Sequence, residues 1–185
     1  MKTRLALLPI LVLAVVCAGT QKDEFAALYE GLPFEMPRVE LPSIPGRSVQ
    51  LTDFGGVGDG VAMNTDAFAA AIKALSDKGG GRLVVPAGVW RTGPIELLSH
   101  IELSVDKDAI IVFDPDQDLY PIIDTNFEGL DVRRCVSPIN ATGAHDIAIT
   151  GGGIIDGSGE FLREVKHRKV SDDQWKSILK RGVIV

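Results

Sequence analysis

A glycine-rich segment near the C-terminal end constrains the fold more than any other feature. Residues 146–159, DIAITGGGIIDGSG, contain two short apolar stretches, each followed by a glycine corner. Parallel strands in a doubly wound sheet need crossover connections of about a dozen residues or more. Strands joined by corners this short instead predict the wall of a solenoid, in which each coil stacks on the one before it.

Several short segments before this corner also have strand character. Within residues 100–106 apolar and polar residues alternate, which predicts a strand with one packed face and one face in water. Its polar positions are Glu102, Ser104 and Asp106. The predicted strands are residues 82–88, 89–97, 100–106, 109–114 and 146–150. The pattern therefore predicts an all-β fold built from coils of a parallel β-helix.

Two amphipathic helices are predicted beside these strands. Asn64 or Thr65 can cap a first helix, which ends at the glycines of residues 79–81. Its apolar face holds Phe68, Ala71, Ile72 and Leu75. Ser171 can cap a second helix, which has two aspartates in its first turn and Lys180 in its last. We expect the first helix to cap one end of the β-helix.

The N-terminal residues have the pattern of an export signal. Lys2 and Arg4 precede an apolar run over residues 5–16, and small residues then permit cleavage after Ala18. This run is shorter than the roughly 20 residues that span a bilayer, so no transmembrane segment is predicted. We expect an exported protein, periplasmic or extracellular, with residues 1–18 as signal peptide. Lipidation of Cys17, as in a bacterial lipoprotein, remains the alternative.

The remaining chain divides into an arm and a β-helix region. Residues 19–46 contain four prolines, which favours an extended arm, and residues 47–185 are predicted to form the β-helix region. Cleavage after Ala18 leaves 17 basic against 25 acidic residues, a net charge of −8, so attraction to a nucleic acid is not expected. It also leaves Cys135 as the single cysteine, so no intramolecular disulfide can form.

Motifs for nucleotide or metal binding are incomplete. Residues 55–60, GGVGDG, fit neither a dinucleotide loop nor a phosphate loop. Three aspartates resemble the start of a calcium loop, but Leu119 and Thr125 stand where that loop needs glycine and glutamate, so a solvated turn is the preferred interpretation. These aspartates are Asp114, Asp116 and Asp118.

Three histidines are dispersed along the sequence without ligand spacing. They are His100, His145 and His167, and we interpret them as surface or corner residues. Neither a metal nor a cofactor is predicted.

The segment at residues 160–181 is basic in an otherwise acidic chain, with seven basic and four acidic residues. It could bind the carboxylates of an anionic sugar chain, or it could be a solvated charged face; the composition favours the second interpretation.

An ordered set of segments resembles the polygalacturonase family, glycoside hydrolase family 28 of the pectin lyase-like superfamily. The most specific part is residues 137–159, in which SPINA precedes IAITGGGIIDGSG. The other segments are residues 51–60, 64–72, 79–97, 119–121 and 165–176. The resemblance implies a right-handed parallel β-helix with an N-terminal capping helix. It also implies a monomer that hydrolyses α-1,4-galacturonic acid linkages by inversion, in polygalacturonate or rhamnogalacturonan.

The resemblance does not assign a catalytic residue to this chain. The family places its acid and base in an Asn-Thr-Asp segment and an Asp-Asp pair on coils beyond IIDGSG. Here Asn64-Thr65-Asp66 precedes the capping helix, Asp172-Asp173 opens the second helix, and Asp156 lies at a coil corner. We therefore predict the N-terminal coils of a hydrolase, inactive alone and with unknown substrate-binding residues. A noncatalytic carbohydrate-binding β-helix and a calcium-dependent pectate lyase remain as alternatives.

Overall fold

The structure, a computed structural model, describes residues 26–159 and 166–180. The predicted signal peptide and the terminal GVIV segment, predicted as a strand or loop, lie outside the described residues. The chain divides into two compact units, one ending at Glu40 and one beginning at Leu41. In the first unit Ala26–Tyr29 form a 3₁₀ turn, and the Tyr29 hydroxyl accepts a hydrogen bond from the Val39 amide.

The second unit contains eleven strands and two α-helices among its described residues. The strands are β1 Ser48–Gln50, β2 Gly81–Val85, β3 Gly88–Thr92, β4 Ile95–Glu96, β5 Ile101–Val105, β6 Ala109–Phe113, β7 Ile122–Phe127, β8 Leu130–Cys135, β9 Ile139–Asn140, β10 Ala148–Gly151 and β11 Ile154–Asp156. The helices are α1 Thr65–Ser76 and α2 Asp172–Lys180. None of the helices in the described part of the chain has the length and apolar character needed to cross a membrane.

Three parallel sheets form the walls of a β-helix. Their strand orders are β1-β2-β5-β10, β3-β6-β11 and β4-β9. Within each coil the strands lie in successive sheets, and each coil returns beside the previous one. Strands β2, β3 and β4 form one coil, β5, β6 and β9 the next, and β10 and β11 begin a third. The predicted all-β parallel β-helix is confirmed.

Apolar side chains stack in ladders inside the coils. Equivalent positions in neighbouring coils hold residues of similar type because the parallel strands pair in register. The ladders include Leu83, Leu103 and Ile149 in the first sheet and Trp90, Ile111 and Ile155 in the second. The members from the first two coils are at most 1% exposed, whereas Ile149 is 48% and Ile155 is 39% exposed. The third coil thus presents its apolar interior to solvent.

Helix α1 packs against the first turns of the β-helix, as predicted for a cap. It contacts the 3₁₀ turn Leu51–Phe54 and strand β2. Its buried face contains the four predicted apolar residues together with Ala67. After the helix, Gly79, Gly80 and Gly81 all have positive φ, which reverses the chain into β2.

The start of α1 corrects the predicted capping interaction. Asn64 occupies the N-cap position, but its side chain does not cap the helix. This buried amide instead accepts from the Val57 amide at 2.7 Å and donates to the carbonyls of Val57, Ala62 and Arg91. These hydrogen bonds satisfy both the oxygen and the nitrogen of the Asn64 side chain, which capping of the helix would not do. Asn64 therefore connects the glycine-rich loop to the first coil.

An antiparallel hairpin of β7 and β8 interrupts the second coil between β6 and β9. It was not predicted from the sequence. Its two turn residues, Glu128 and Gly129, have φ of 53° and 84°, as a two-residue hairpin turn requires. Glu-Gly is not a strong signal for that turn, which explains why sequence patterns missed it.

Helix α2 begins as the sequence predicts. The Ser171 hydroxyl accepts a hydrogen bond from the Gln174 amide, and the Gln174 side chain accepts one from the Ser171 amide. This reciprocal pair is a capping box. None of its described residues is buried, so α2 is a surface helix.

Candidate functional site

The three acidic motifs considered from the sequence lie in separate places. Asn64–Asp66 stands at the start of α1, and Asp172 and Asp173 form the first turn of α2. Asp156 ends β11, where its carboxylate accepts a hydrogen bond from the Ser158 amide at 2.9 Å. These placements match the helix-start and corner interpretations. The absence of catalytic residues from this chain stays a prediction.

Asp114 is buried, whereas Asp116 and Asp118 are exposed, so the interpretation as a solvated turn holds for the turn itself and is wrong for Asp114. One carboxylate oxygen accepts a hydrogen bond from Arg91 Nε at 2.5 Å, and the other accepts one from the Asp116 amide. The Tyr120 hydroxyl donates to the Asp114 carbonyl, and burial together with the Asp114 charge raises the pKa of Tyr120. Arg91 lies one coil below Asp114, a relation that the sequence alone does not show.

Glu102 also differs from the prediction, which placed it on a face in water. The residue is 8% exposed, and its carboxylate accepts hydrogen bonds from Arg82 Nε at 2.9 Å and from the Thr150 hydroxyl at 2.6 Å. Because these partners lie on the previous and the following coil, Glu102 connects three coils. Burial raises the pKa of Glu102, but the bonds from Thr150 and Arg82 outweigh burial, so its pKa lies below the ordinary value.

Acid should weaken this connection between coils. A carboxyl group with a lowered folded-state pKa stabilises the fold above its unfolded-state pKa, and that contribution disappears as the pH falls through the folded-state value. We expect the stability difference between the wild type and Glu102→Gln to be largest near pH 7. It should begin to shrink near pH 4.3, about the pKa of an unperturbed glutamate. Urea denaturation of both proteins from pH 7 to pH 3 tests this, and a constant difference would contradict it.

Two of the histidines that are far apart in sequence meet at one corner of the β-helix. His100 precedes β5 and His145 precedes β10, so they occupy equivalent corners of neighbouring coils. The His100 amide donates to the His145 carbonyl at 3.0 Å, and the two rings lie edge to face with centroids 4.7 Å apart. The sequence spacing hid this contact because one whole coil separates the two residues.

Asp146 joins the two histidines and holds the chain that precedes β1. Its Oδ2 lies 2.8 Å from His145 Nδ1 and 3.7 Å from His100 Nδ1, while Oδ1 accepts a hydrogen bond from the Ser43 amide at 2.6 Å. The Ser43 carbonyl in turn lies 2.8 Å from His100 Nδ1. The hydrogen bond with His145, followed by that from Ser43, holds the pKa of Asp146 below its ordinary value. We call His100, His145 and Asp146 the corner cluster.

A cleft lies beside the open third coil. Its volume is about 330 Å³. It is lined by Leu97, Ile139, Asn140, Ala141, Ile147, Ala148 and Ile149. Apolar walls suit a neighbouring apolar chain segment better than an anionic sugar.

Stacked in-register coils, a helical cap and a glycine-cornered third coil define a parallel β-helix protein. No protein-family model matches the chain. A protein from Vitis vinifera named "Probable polygalacturonase" is 41% identical over 126 residues, which is 63% of this chain and 26% of that protein. The chain thus spans about a quarter of the length of this curated relative.

Two solved structures share both the fold and the sequence similarity. The hyperthermoactive exopolygalacturonase from Thermotoga maritima has a TM-score of 0.63 and 38% identity, over 80% of this chain and 36% of that one. The family 28 exopolygalacturonase from Yersinia enterocolitica has a TM-score of 0.55 and 32% identity, over 61% of this chain and 21% of that one. The chain is polygalacturonase-like in fold and sequence and is similar to a part of each of these proteins.

Proposed function

We propose that this chain forms the capped first coils of an exported, pectin-degrading glycoside hydrolase and has no hydrolytic activity alone. The similarity to named polygalacturonases carries the proposal. The exposed interior of the third coil supports it, because Ile149 and Ile155 occupy ladder positions whose counterparts in the first two coils are fully covered. Further coils stacked on β10 and β11 would cover these side chains and pair the open strand edges.

The chemistry proposed for the complete enzyme needs two carboxyl groups across a substrate groove. In inverting hydrolysis one protonated carboxyl donates to the leaving glycosidic oxygen, while a carboxylate about 6.5 to 9.5 Å away activates a water molecule. Two buried carboxylates described here have other partners, since Asp114 pairs with Arg91 and Glu102 with Arg82 and Thr150. The catalytic pair is therefore proposed to lie on later coils.

The substrate proposed for the complete enzyme is α-1,4-linked polygalacturonate. Its uronate carboxylates would need cationic partners, and bidentate arginine is well suited to that role. In this chain the described basic residues of segment 166–180 are exposed around a 3₁₀ turn at His167–Lys169 and along α2. They could extend such a groove, or they could form the solvated face favoured by the composition.

The activity of the chain provides the direct test. We expect the purified 185-residue protein to release no reducing ends from polygalacturonate, because we propose that the acid and base lie on later coils. A longer protein that continues with Asn-Thr-Asp and Asp-Asp coils should release them, with inversion at the anomeric carbon. Reading the coding sequence beyond Val185 tests whether such coils are encoded, and anomeric proton NMR of the first products reports the stereochemistry.

Other outcomes would replace the proposal. Hydrolysis by the 185-residue chain itself would contradict its proposed inactivity. Binding of the polysaccharide without cleavage, with no catalytic coils encoded downstream, would favour a noncatalytic β-helix. Formation of an unsaturated product that depends on calcium would identify a pectate lyase.

A further inference from the structure

We propose that the corner cluster is a binding site for a divalent transition metal, with Zn²⁺ as the preferred ion. The site would take two imidazole nitrogens from His100 and His145 and one carboxylate oxygen from Asp146. This donor set suits zinc and related transition metals, whereas magnesium and calcium prefer oxygen ligands alone. The proposal does not depend on the hydrolase function, because none of these residues has a part in the proposed hydrolysis.

The distances fit a tetrahedral ion. One donor atom from each of the three side chains lies within 4.8 Å of the other two. Zinc binds nitrogen and oxygen at about 2.0 to 2.2 Å, so neighbouring ligand atoms of a tetrahedral site lie roughly 3.3 Å apart. The separations of Asp146 Oδ2 from the two Nδ1 atoms, 2.8 and 3.7 Å, fall on either side of that value. Small side-chain rotations would therefore bring all three atoms to one ion.

The backbone around the cluster is already fixed. His100 donates through its amide to His145 and accepts at its carbonyl from the Gly81 amide at 2.9 Å, which ties its corner to both neighbouring coils. His100 and Asp146 have φ of 61° and 53°, conformations that non-glycine residues adopt rarely. The stacking of the coils, and not a flexible loop, therefore holds the side chains of His100 and Asp146 close to each other.

The second carboxylate oxygen of Asp146 gives the site an outer partner. Oδ1 accepts the Ser43 amide hydrogen bond, which orients the carboxylate and leaves Oδ2 on the side of the two imidazoles. Such bonds to ligating groups commonly tune metal affinity. Zinc at His100 Nδ1 would replace the hydrogen bond to the Ser43 carbonyl.

The side chains of His100 and His145 are 36% and 66% exposed, which leaves a path for an ion from solvent and room for a water ligand.

The test uses the metal-free 185-residue protein. It is titrated with Co²⁺, a coloured substitute for Zn²⁺, and followed by visible absorption. A second titration, with Zn²⁺ itself, is followed by calorimetry. We expect one equivalent of each ion to bind, with intense visible absorption from tetrahedral cobalt, and Mg²⁺ to give no binding heat. His145→Gln and Asp146→Asn should weaken zinc binding about tenfold or more. His167→Gln is the matched control, because His167 also contacts a single carboxylate, that of Asp172, at 3.1 Å.

Two further measurements make every outcome decisive. Cys135→Ser should bind zinc as the wild type does, since this exposed thiol and His167 are the other nitrogen or sulfur side-chain ligands among the described residues that zinc commonly uses. If Asp146→Asn fails to fold, the X-ray absorption spectrum of the wild-type cobalt complex should still show scattering from two imidazole ligands. Three results would each overturn the proposal. The first is loss of zinc binding in Cys135→Ser or His167→Gln, and the second is unchanged zinc binding in His145→Gln. The third is a cobalt spectrum that stays that of the hydrated ion.

Discussion

Replacing Gly151 by alanine is expected to destabilise the protein by about 3 to 5 kcal/mol, at the upper end of single-residue effects. Gly151 pairs with Val105 between β10 and β5 and has φ of 98°. A Cβ atom there would overlap the Val105 carbonyl oxygen and lie 2.8 Å from its carbonyl carbon. Both the positive φ and the close approach of the two coils exclude a side chain. The midpoint of urea denaturation, followed by circular dichroism, measures the effect.

Two glycine controls separate the causes. Gly143→Ala introduces a Cβ at φ of 63° with open space around it, so only backbone strain of about 1 to 2 kcal/mol is expected. Gly157→Ala meets no atom and should change the stability by less than about 0.5 kcal/mol. If Gly151→Ala were no more destabilising than Gly143→Ala, close packing between β5 and β10 would not be the cause.

Replacing Trp90 by alanine should cost about 3 to 5 kcal/mol. The side chain is 1% exposed, stacks on Ile111 and donates its indole N–H to the Pro86 carbonyl at 2.7 Å. A Cβ at Gly58 would lie only 2.9 Å from the indole ring, so the glycine-rich loop packs directly on this ring. Removing the ring would leave a cavity between the loop and the first coil, which the rigid strands cannot close.

Trp175 provides the matched control, since the chain has two tryptophans. It is partly exposed on α2, where its ring stacks on His167 with centroids 4.9 Å apart. We expect Trp175→Ala to change the stability by less than about 1 kcal/mol. Both variants should be compared by circular dichroism, because each removes one of the two tryptophans on which fluorescence detection would depend. Equal shifts of the denaturation midpoint in the two variants would refute the central role of Trp90.

The regular parts of the fold could be predicted because they depend on local patterns. The alternation in β5, the glycine corners around β10 and β11, and the apolar face of α1 each result from the backbone geometry of a few consecutive residues. The same holds for the start of α2, where Ser171 and Gln174 form a capping box within one turn. The hairpin β7–β8 was missed because its Glu-Gly turn is a weak signal.

The sequence by itself determined the parallel β-helix, its two helices and the positions of strands β2, β3, β5, β6 and β10, since apolar periodicity and glycine corners are encoded residue by residue. Only the tertiary structure decided which polar side chains meet. Arg91 pairs with Asp114, Glu102 with Arg82 and Thr150, and His100 with His145, in each case across a coil boundary. Stacking places residues one coil apart in sequence within hydrogen-bond distance. The length of that coil depends on its corners and insertions, which no local pattern reports.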